Sequence, residues 1–254
     1  MNRMKPSCDL VLLGASNLTM SLAAVVQMAV EAAGPLRLWV GCGHGRSYGI
    51  DSSVMGRGLG GLIDCGLFEA LADERGGAVH ALITDIGNDV LYGQPAERIL
   101  SWIRSAVDRM APAKVAVTAL PTERLTRLGP AGYAILARLL FPFHRLTYER
   151  MLDGVSDLQG GLEAMEREGA VRLIHQPGSW YGLDPIHIRR RFRSEAYATM
   201  LNACGLKVRA ARPTQAVRRA VSRSRPQRWT RWGRKRSQVQ PGVRLPDGSP
   251  LHRY

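Results

Sequence analysis

The sequence predicts an α/β protein whose parallel sheet is covered by helices on both faces. Three observations carry this expectation. Short apolar runs alternate with longer helical patterns through the first 205 of the 254 residues. The runs are apolar throughout, without the apolar–polar alternation of a sheet that faces water on one side. Glycine, proline and small polar residues punctuate the segments between them. With 45% hydrophobic residues, a chain of this length can bury one sizeable core.

Residues 9–13 read as a buried strand. Residues 18–33 read as a helix, with Asn17 placed to cap its start and Gly34-Pro35 to stop it. Residues 36–40 form the second strand, followed by a glycine-rich loop over 41–49. Residues 59–74 lean toward helix, although Gly60 and Gly61 weaken its start. Residues 79–84 are the third strand. The helix over 95–110 has Pro95 at its first turn, where a missing N–H costs little. Residues 114–119 are the fourth strand, ended by Pro121, and helices fill much of 133–167 with a break near Pro142. Residues 171–174 are the fifth strand, 177–185 a loop, and 188–204 a last helix ending before Gly205. No internal repeat is visible.

Charge divides the chain in two. Residues 206–254 hold 14 of the 35 lysines and arginines but one acidic residue, Asp247, of 21. The first 205 residues are therefore close to neutral. The domain expected over 1–205 is followed by a basic tail over 206–254, poor in aliphatics and predicted to be disordered when free. Arginine clusters beside Trp229 and Trp232 point to an anionic partner for that tail, nucleic acid or a membrane surface; the plainer alternative is a solvated basic tail.

No stretch approaches the ~18–20 uninterrupted apolar residues of a membrane span. Arg3 and Lys5 precede the run at Leu10, but the run is too short for a signal-peptide core, so a cytoplasmic location is expected. Cys8, Cys42, Cys65 and Cys204 are scattered without metal or redox spacing and read as free, core-filling thiols. His44, His80, His144 and His175 lack ligand spacing, so neither metal nor organic cofactor is expected.

Three separated segments carry the chemistry, each beyond the end of a predicted strand, where open parallel sheets place their ligands. Ser16, in Gly14-Ala15-Ser16-Asn17, sits where a strand passes into a helix. The helix N-terminus favours negative charge, which suits a nucleophile whose substrate develops an oxyanion; the alternative is a simple helix cap. Asp184 and His187, three residues apart around Pro185, can meet on one turn as an orienting carboxylate and a general base; the alternative is a cap with a surface histidine. Asn88, in Gly87-Asn88-Asp89, can donate to an oxyanion or serve only as a turn residue. Gly45 could add a main-chain N–H, glycine permitting close approach of a substrate; Gly41, Gly43 and Gly49 flank the same loop.

On these residues the chain resembles the SGNH hydrolases, the GDSL-type esterases and lipases, over about residues 9–204. Gly14-Ala15-Ser16-Asn17-Leu18 looks like their first block, Gly45 stands for the glycine of the second, Asn88 for the asparagine of the third, and Asp184-Pro185-Ile186-His187 for the closing Asp-x-x-His. The resemblance implies a three-layer α/β/α sandwich with a flavodoxin-like, five-stranded parallel sheet. It implies Ser16 as nucleophile, His187 as base and Asp184 as its partner, with Ser16, Gly45 and Asn88 forming the oxyanion hole. Ala15 replaces the usual aspartate of the first block, and Ile86 stands where the third block usually has glycine. The α/β-hydrolases fit less well, because Leu18 occupies the last glycine of their G-x-S-x-G. Gly41-Cys42-Gly43-His44-Gly45 does not have nucleotide-binding spacing.

The expected activity is hydrolysis of a carboxylic ester with a short acyl or acetyl group, the substrate being a small molecule or a glycan or lipid ester. An inactive SGNH-fold binding protein, or a protein acting through its basic tail, is the alternative. Residues 121–168 are expected to supply a substrate wall through Phe141, Phe143 and Tyr148, or simply core packing.

Overall fold

Apolar residues alternate between two cores along the first strand, which places that strand at the centre of the molecule. The computed structural model describes residues 6–140 and 146–254. Strand β1 (Cys8–Gly14) leads into α1 (Ser16–Ala33), β2 (Arg37–Cys42), the short hairpin β3 (Ser52–Val54) and β4 (Arg57–Leu59), and α2 (Leu67–Glu74). Then come β5 (Ala78–Ile83), the single turn α3 (Asn88–Leu91), α4 (Ala96–Met110) and β6 (Ala113–Thr118). Helix α5 (Thr122–Leu140), kinked at Gly129-Pro130, is followed by α6 (Tyr148–Arg167), β7 (Arg172–Ile174) and α7 (Arg193–Ala203). The chain closes with α8 (Gln215–Arg223), β8 (Arg228–Arg231), β9 (Arg234–Ser237), β10 (Val243–Arg244) and β11 (Pro250–Arg253).

The main sheet has the order β10-β11-β2-β1-β5-β6-β7. The five predicted strands stand as second, first, third, fourth, fifth, all parallel, which is the flavodoxin-like order. Side chains on successive strand residues point to opposite faces. Val11 and Leu13 enter a core with Leu67, Ile103 and Leu158 from α2, α4 and α6. Leu10 and Leu12 enter the other with Leu22, Val25, Met200 and Val217 from α1, α7 and α8. Asp9, fully buried, receives Arg37 Nε at 2.9 Å, Trp39 Nε1 at 2.8 Å and the Gly76 N–H at 3.2 Å, tying β1 to β2 and to the turn before β5.

Two expectations are corrected. The tail is not a disordered appendage. Strand β11 pairs parallel with β2, placing Leu251 opposite Leu38, and β10 pairs antiparallel with β11, so the sheet has seven strands rather than five. The β8–β9 hairpin joins β3–β4 in a second, four-stranded sheet. Charge masked this order: the arginines of β9 are exposed, while Val217, Val221, Leu245 and Leu251 are buried. Apolar burial at a few positions overrides a disorder-like composition.

The second correction concerns residues 59–74, where only 67–74 is helical. The segment before it runs along the glycine-rich loop: Leu62 N–H donates to the Ser47 carbonyl at 3.1 Å and Ile63 N–H to that of Tyr48 at 2.9 Å. Gly61 is required there, since a Cβ would lie 2.8 Å from the main chain of Gly49.

Candidate active site

The site begins at the junction of β1 and α1. Gly14 ends the strand so close to β5 that a Cβ would lie 2.6 Å from Cγ2 of Thr84. Ala15 then turns the chain, and Ser16 opens α1, where helix geometry leaves the first N–H groups without an intrahelical partner. Asn17 does not cap the helix. The cap comes from Asp85, after β5: its carboxylate accepts the Ala15 N–H at 2.8 Å and the Leu18 N–H at 3.2 Å. Asp85 adopts a left-handed φ of 63°, tolerated by aspartate better than by most residues.

Asn17 serves the opposite side of the site. Its Nδ2 donates to Asp85 and to the Ile186 carbonyl, both at 2.8 Å, and its Oδ1 accepts the Ile188 N–H at 2.8 Å. The loop is thereby held on both flanks of His187.

His187 and Ser16, 171 positions apart in sequence, meet with Nε2 2.9 Å from Oγ. Nδ1 lies 2.6 Å from Asp184 Oδ2. Asp184 Oδ1 accepts the main-chain N–H groups of Ile186 at 3.0 Å and His187 at 3.2 Å. Burial alone would raise the Asp184 carboxyl, but the bonds from His187 and Ile186 outweigh it and hold the group below the usual carboxylate range. It therefore remains an anion at neutral pH and can accept from His187 Nδ1. With Nδ1 donating to Asp184, Nε2 is left free to accept the serine proton, an arrangement suited to acyl transfer.

Ser16 and Asn88 line one cavity. Its apolar walls include Ile86, Leu91, Leu120, Leu125, Met151 and Val155, and its volume is about 60 Å³. Asn88 Nδ2 is buried in the protein without a hydrogen-bond partner. An unsatisfied buried donor is costly, of order 1–3 kcal/mol, which makes this amide a ready donor to a ligand oxygen. The wall expected from 121–168 is present through Leu125, Met151 and Val155. Tyr148 instead packs on Tyr133 and donates to the Thr126 carbonyl at 2.8 Å. Phe141 and Phe143 lie outside the described residues.

Gly45 is not among the residues lining this cavity. It has φ of +60°, and its carbonyl accepts the Tyr92 hydroxyl at 2.6 Å. Its neighbour His44 faces a second cavity, which Thr19 of α1's first turn also lines. Burial and the charges of His187, Arg57 and Arg253 hold the His44 imidazole below the usual range, against the pull of Asp85. The loop is anchored by Asp89, which accepts from the Ser47 hydroxyl and, at 3.0 Å, from the Tyr48 N–H. Tyr48 in turn donates its hydroxyl to the carbonyl of Thr84 at 2.7 Å, at the end of β5.

No local pattern in the sequence marks Asp85 or Asp89 as site residues. The only signal was their position beside Gly87-Asn88, because contacts that span 40 to 70 residues leave no local spacing to read.

No family model matches the chain, and no curated protein sequence matches it. Solved structures do. The inhibitor-bound aryl esterase of M. smegmatis is 15% identical, covering 76% of this chain and 97% of its own, with a TM-score of 0.51. A carbohydrate acetylesterase from Sinorhizobium meliloti is 12% identical over 77% of this chain and 97% of its own, with a TM-score of 0.48. A member of the lipolytic G-D-S-L family from Veillonella parvula DSM 2008 is 12% identical over 77% and 94%, with a TM-score of 0.45. The likeness to the aryl esterase shows the fold: the chain has the α/β/α architecture that the SGNH, or GDSL-type, resemblance implies. Among the described residues no helix is long and apolar enough to cross a membrane.

Proposed function

We propose that the protein is a serine hydrolase of the SGNH type that cleaves carboxylic esters with short acyl groups. The observation that carries this reading is the continuous hydrogen-bonded chain from Asp184 through His187 to Ser16. Ser16 Oγ attacks the ester carbonyl while His187 Nε2 takes its proton. The oxyanion is met by the N–H of Ser16 and the side-chain amide of Asn88. His187 returns the proton to the departing alcohol, leaving an acyl-enzyme. Water, deprotonated by His187, attacks that intermediate and releases the acid. No step calls for a metal or an organic cofactor.

The small apolar cavity beside Ser16 favours an acyl chain of a few carbons. The aryl esterase and acetylesterase named above act, by their names, on esters, which agrees with this chemistry. The test is hydrolysis of p-nitrophenyl acetate, butyrate, octanoate and palmitate. Activity on the short esters that falls steeply by octanoate, and is abolished in Ser16→Ala, supports the reading. A folded protein that cleaves none of them favours a non-catalytic binding protein on the same fold.

A further inference from the structure

The second cavity, about 360 Å³, is lined by Thr19, Gly43, His44, Val54, Met55, Arg57, Leu59, Arg225, Trp229, Arg231 and Trp232. No acidic residue is among them. Thr19 lies one helical turn beyond Ser16, and residues three apart share a helix face. The cavity therefore reaches the first turn of α1, which Ser16 opens.

Three features of the wall ask for an anion. Arg57 and Arg231 stand directly opposite each other in the antiparallel pairing of β4 with β8, and like charges so placed destabilise a sheet. The Arg57 Nε is buried without a hydrogen-bond partner. Among the described residues, none of Arg57, Arg225 and Arg231 pairs with a carboxylate. Guanidinium groups bind phosphate through paired, charge-assisted hydrogen bonds. Three of them supply more positive charge than a single carboxylate would neutralise. Trp229 and Trp232 add aromatic surface for a carbon skeleton.

Resting on the esterase reading, we propose that this cavity is the alcohol subsite and that the substrate is an ester of a phosphate-bearing alcohol. The phosphate is held by Arg57, Arg225 and Arg231, so the basic C-terminal segment selects the leaving group. The residues that suggested a nucleic-acid or membrane partner thus form one wall of the substrate site, with β8 supplying Arg231.

The test compares 1-butyrylglycerol 3-phosphate with 1-butyrylglycerol, which differ only in the phosphate. The expected kcat/KM ratio is at least about 10 in favour of the phosphate ester at low salt, falling as ionic strength rises. In Arg57→Gln/Arg231→Gln the ratio should fall to near one, and Arg231→Lys should retain part of it. Glycerol 3-phosphate, and not glycerol, should bind the Ser16→Ala protein in calorimetry. A wild-type ratio near one with both esters cleaved overturns this inference and leaves the esterase reading standing. If neither these esters nor p-nitrophenyl butyrate is cleaved, the esterase reading falls and the alcohol subsite with it. Tight binding of a single-stranded oligonucleotide without binding of glycerol 3-phosphate overturns the inference in favour of a nucleic-acid surface.

Discussion

Asn17 holds Ile188 through a 2.8 Å hydrogen bond from the Ile188 N–H to its side-chain oxygen, across 171 positions of sequence. With its amide donating to the Ile186 carbonyl, it spans the residue between, His187. Asn17 is thus a positioning residue, acting on the base through the main chain. Asn17→Ala is expected to lower kcat about 10–100-fold, the scale of a displacement near 1 Å, with little change in KM. Asn17→Asp keeps the acceptor but loses both donor contacts and sets a charge beside Asp85, so it should do no better. Steady-state kinetics on p-nitrophenyl butyrate check this, because a loss confined to folded fraction would not alter the pH profile and a displaced base would.

Asp85 caps α1 from a distant loop. Asp85→Ala removes the acceptor of the Ala15 and Leu18 N–H groups and leaves alanine in a left-handed conformation. It should cost about 1–2 kcal/mol by urea denaturation. Asp85→Asn, which keeps an acceptor oxygen and tolerates that conformation, should recover part of the loss.

Asn88 carries the unpartnered amide. Asn88→Ala should lower kcat about 100–1,000-fold, with a much smaller effect on KM, if the amide acts only on the transition state. A change confined to KM would assign it to ground-state binding.

Val155 and Met151 close the acyl pocket. Val155→Phe should leave acetate hydrolysis within a few-fold and reduce hexanoate hydrolysis by roughly 10-fold or more, a methylene being worth about 1–3 kcal/mol in a tight pocket. Rates across the acyl series, scaled to Ser16 labelling to count folded sites, measure it.

Asp89 links pH to stability. Burial, opposed by the Ser47 and Tyr48 hydrogen bonds, raises its carboxyl from 3.8 to about 6. The folded protein therefore holds this proton where the unfolded chain has lost it. The contribution is favourable below the unfolded value and is lost as pH rises from about 4 to about 6, by an order of 2–3 kcal/mol. Urea denaturation across that range should show this decline in the wild type and a flatter profile in Asp89→Asn.

Much of the architecture was legible because it is local. The five parallel strands and the helices after β1, β5 and β6 follow from runs of apolar residues and from Gly34, Pro95 and Pro121. Ser16, Asn88, Asp184 and His187 were legible because parallel topology brings the carboxyl ends of distant strands together. The β3–β4 hairpin was not, since its two three-residue strands are shorter than any periodic pattern and β4 is held from the far end of the chain by β8. Nor was the order of the tail, where Leu251 pairs with Leu38 of β2 and Val217 joins the core beside Leu22 and Val25, among arginines that suggest disorder. Asn17 read as a cap because its side chain suits that role; only the fold reveals that Asp85 has taken it.

In the proposed mechanism everything depends on Ser16 being an activated nucleophile. Labelling with a fluorophosphonate, followed by peptide mass spectrometry, tests it most directly. One adduct per chain is expected on Ser16, absent in Ser16→Ala and strongly slowed in His187→Ala. A folded wild-type protein that takes up no label, or that is labelled equally in Ser16→Ala, would contradict it.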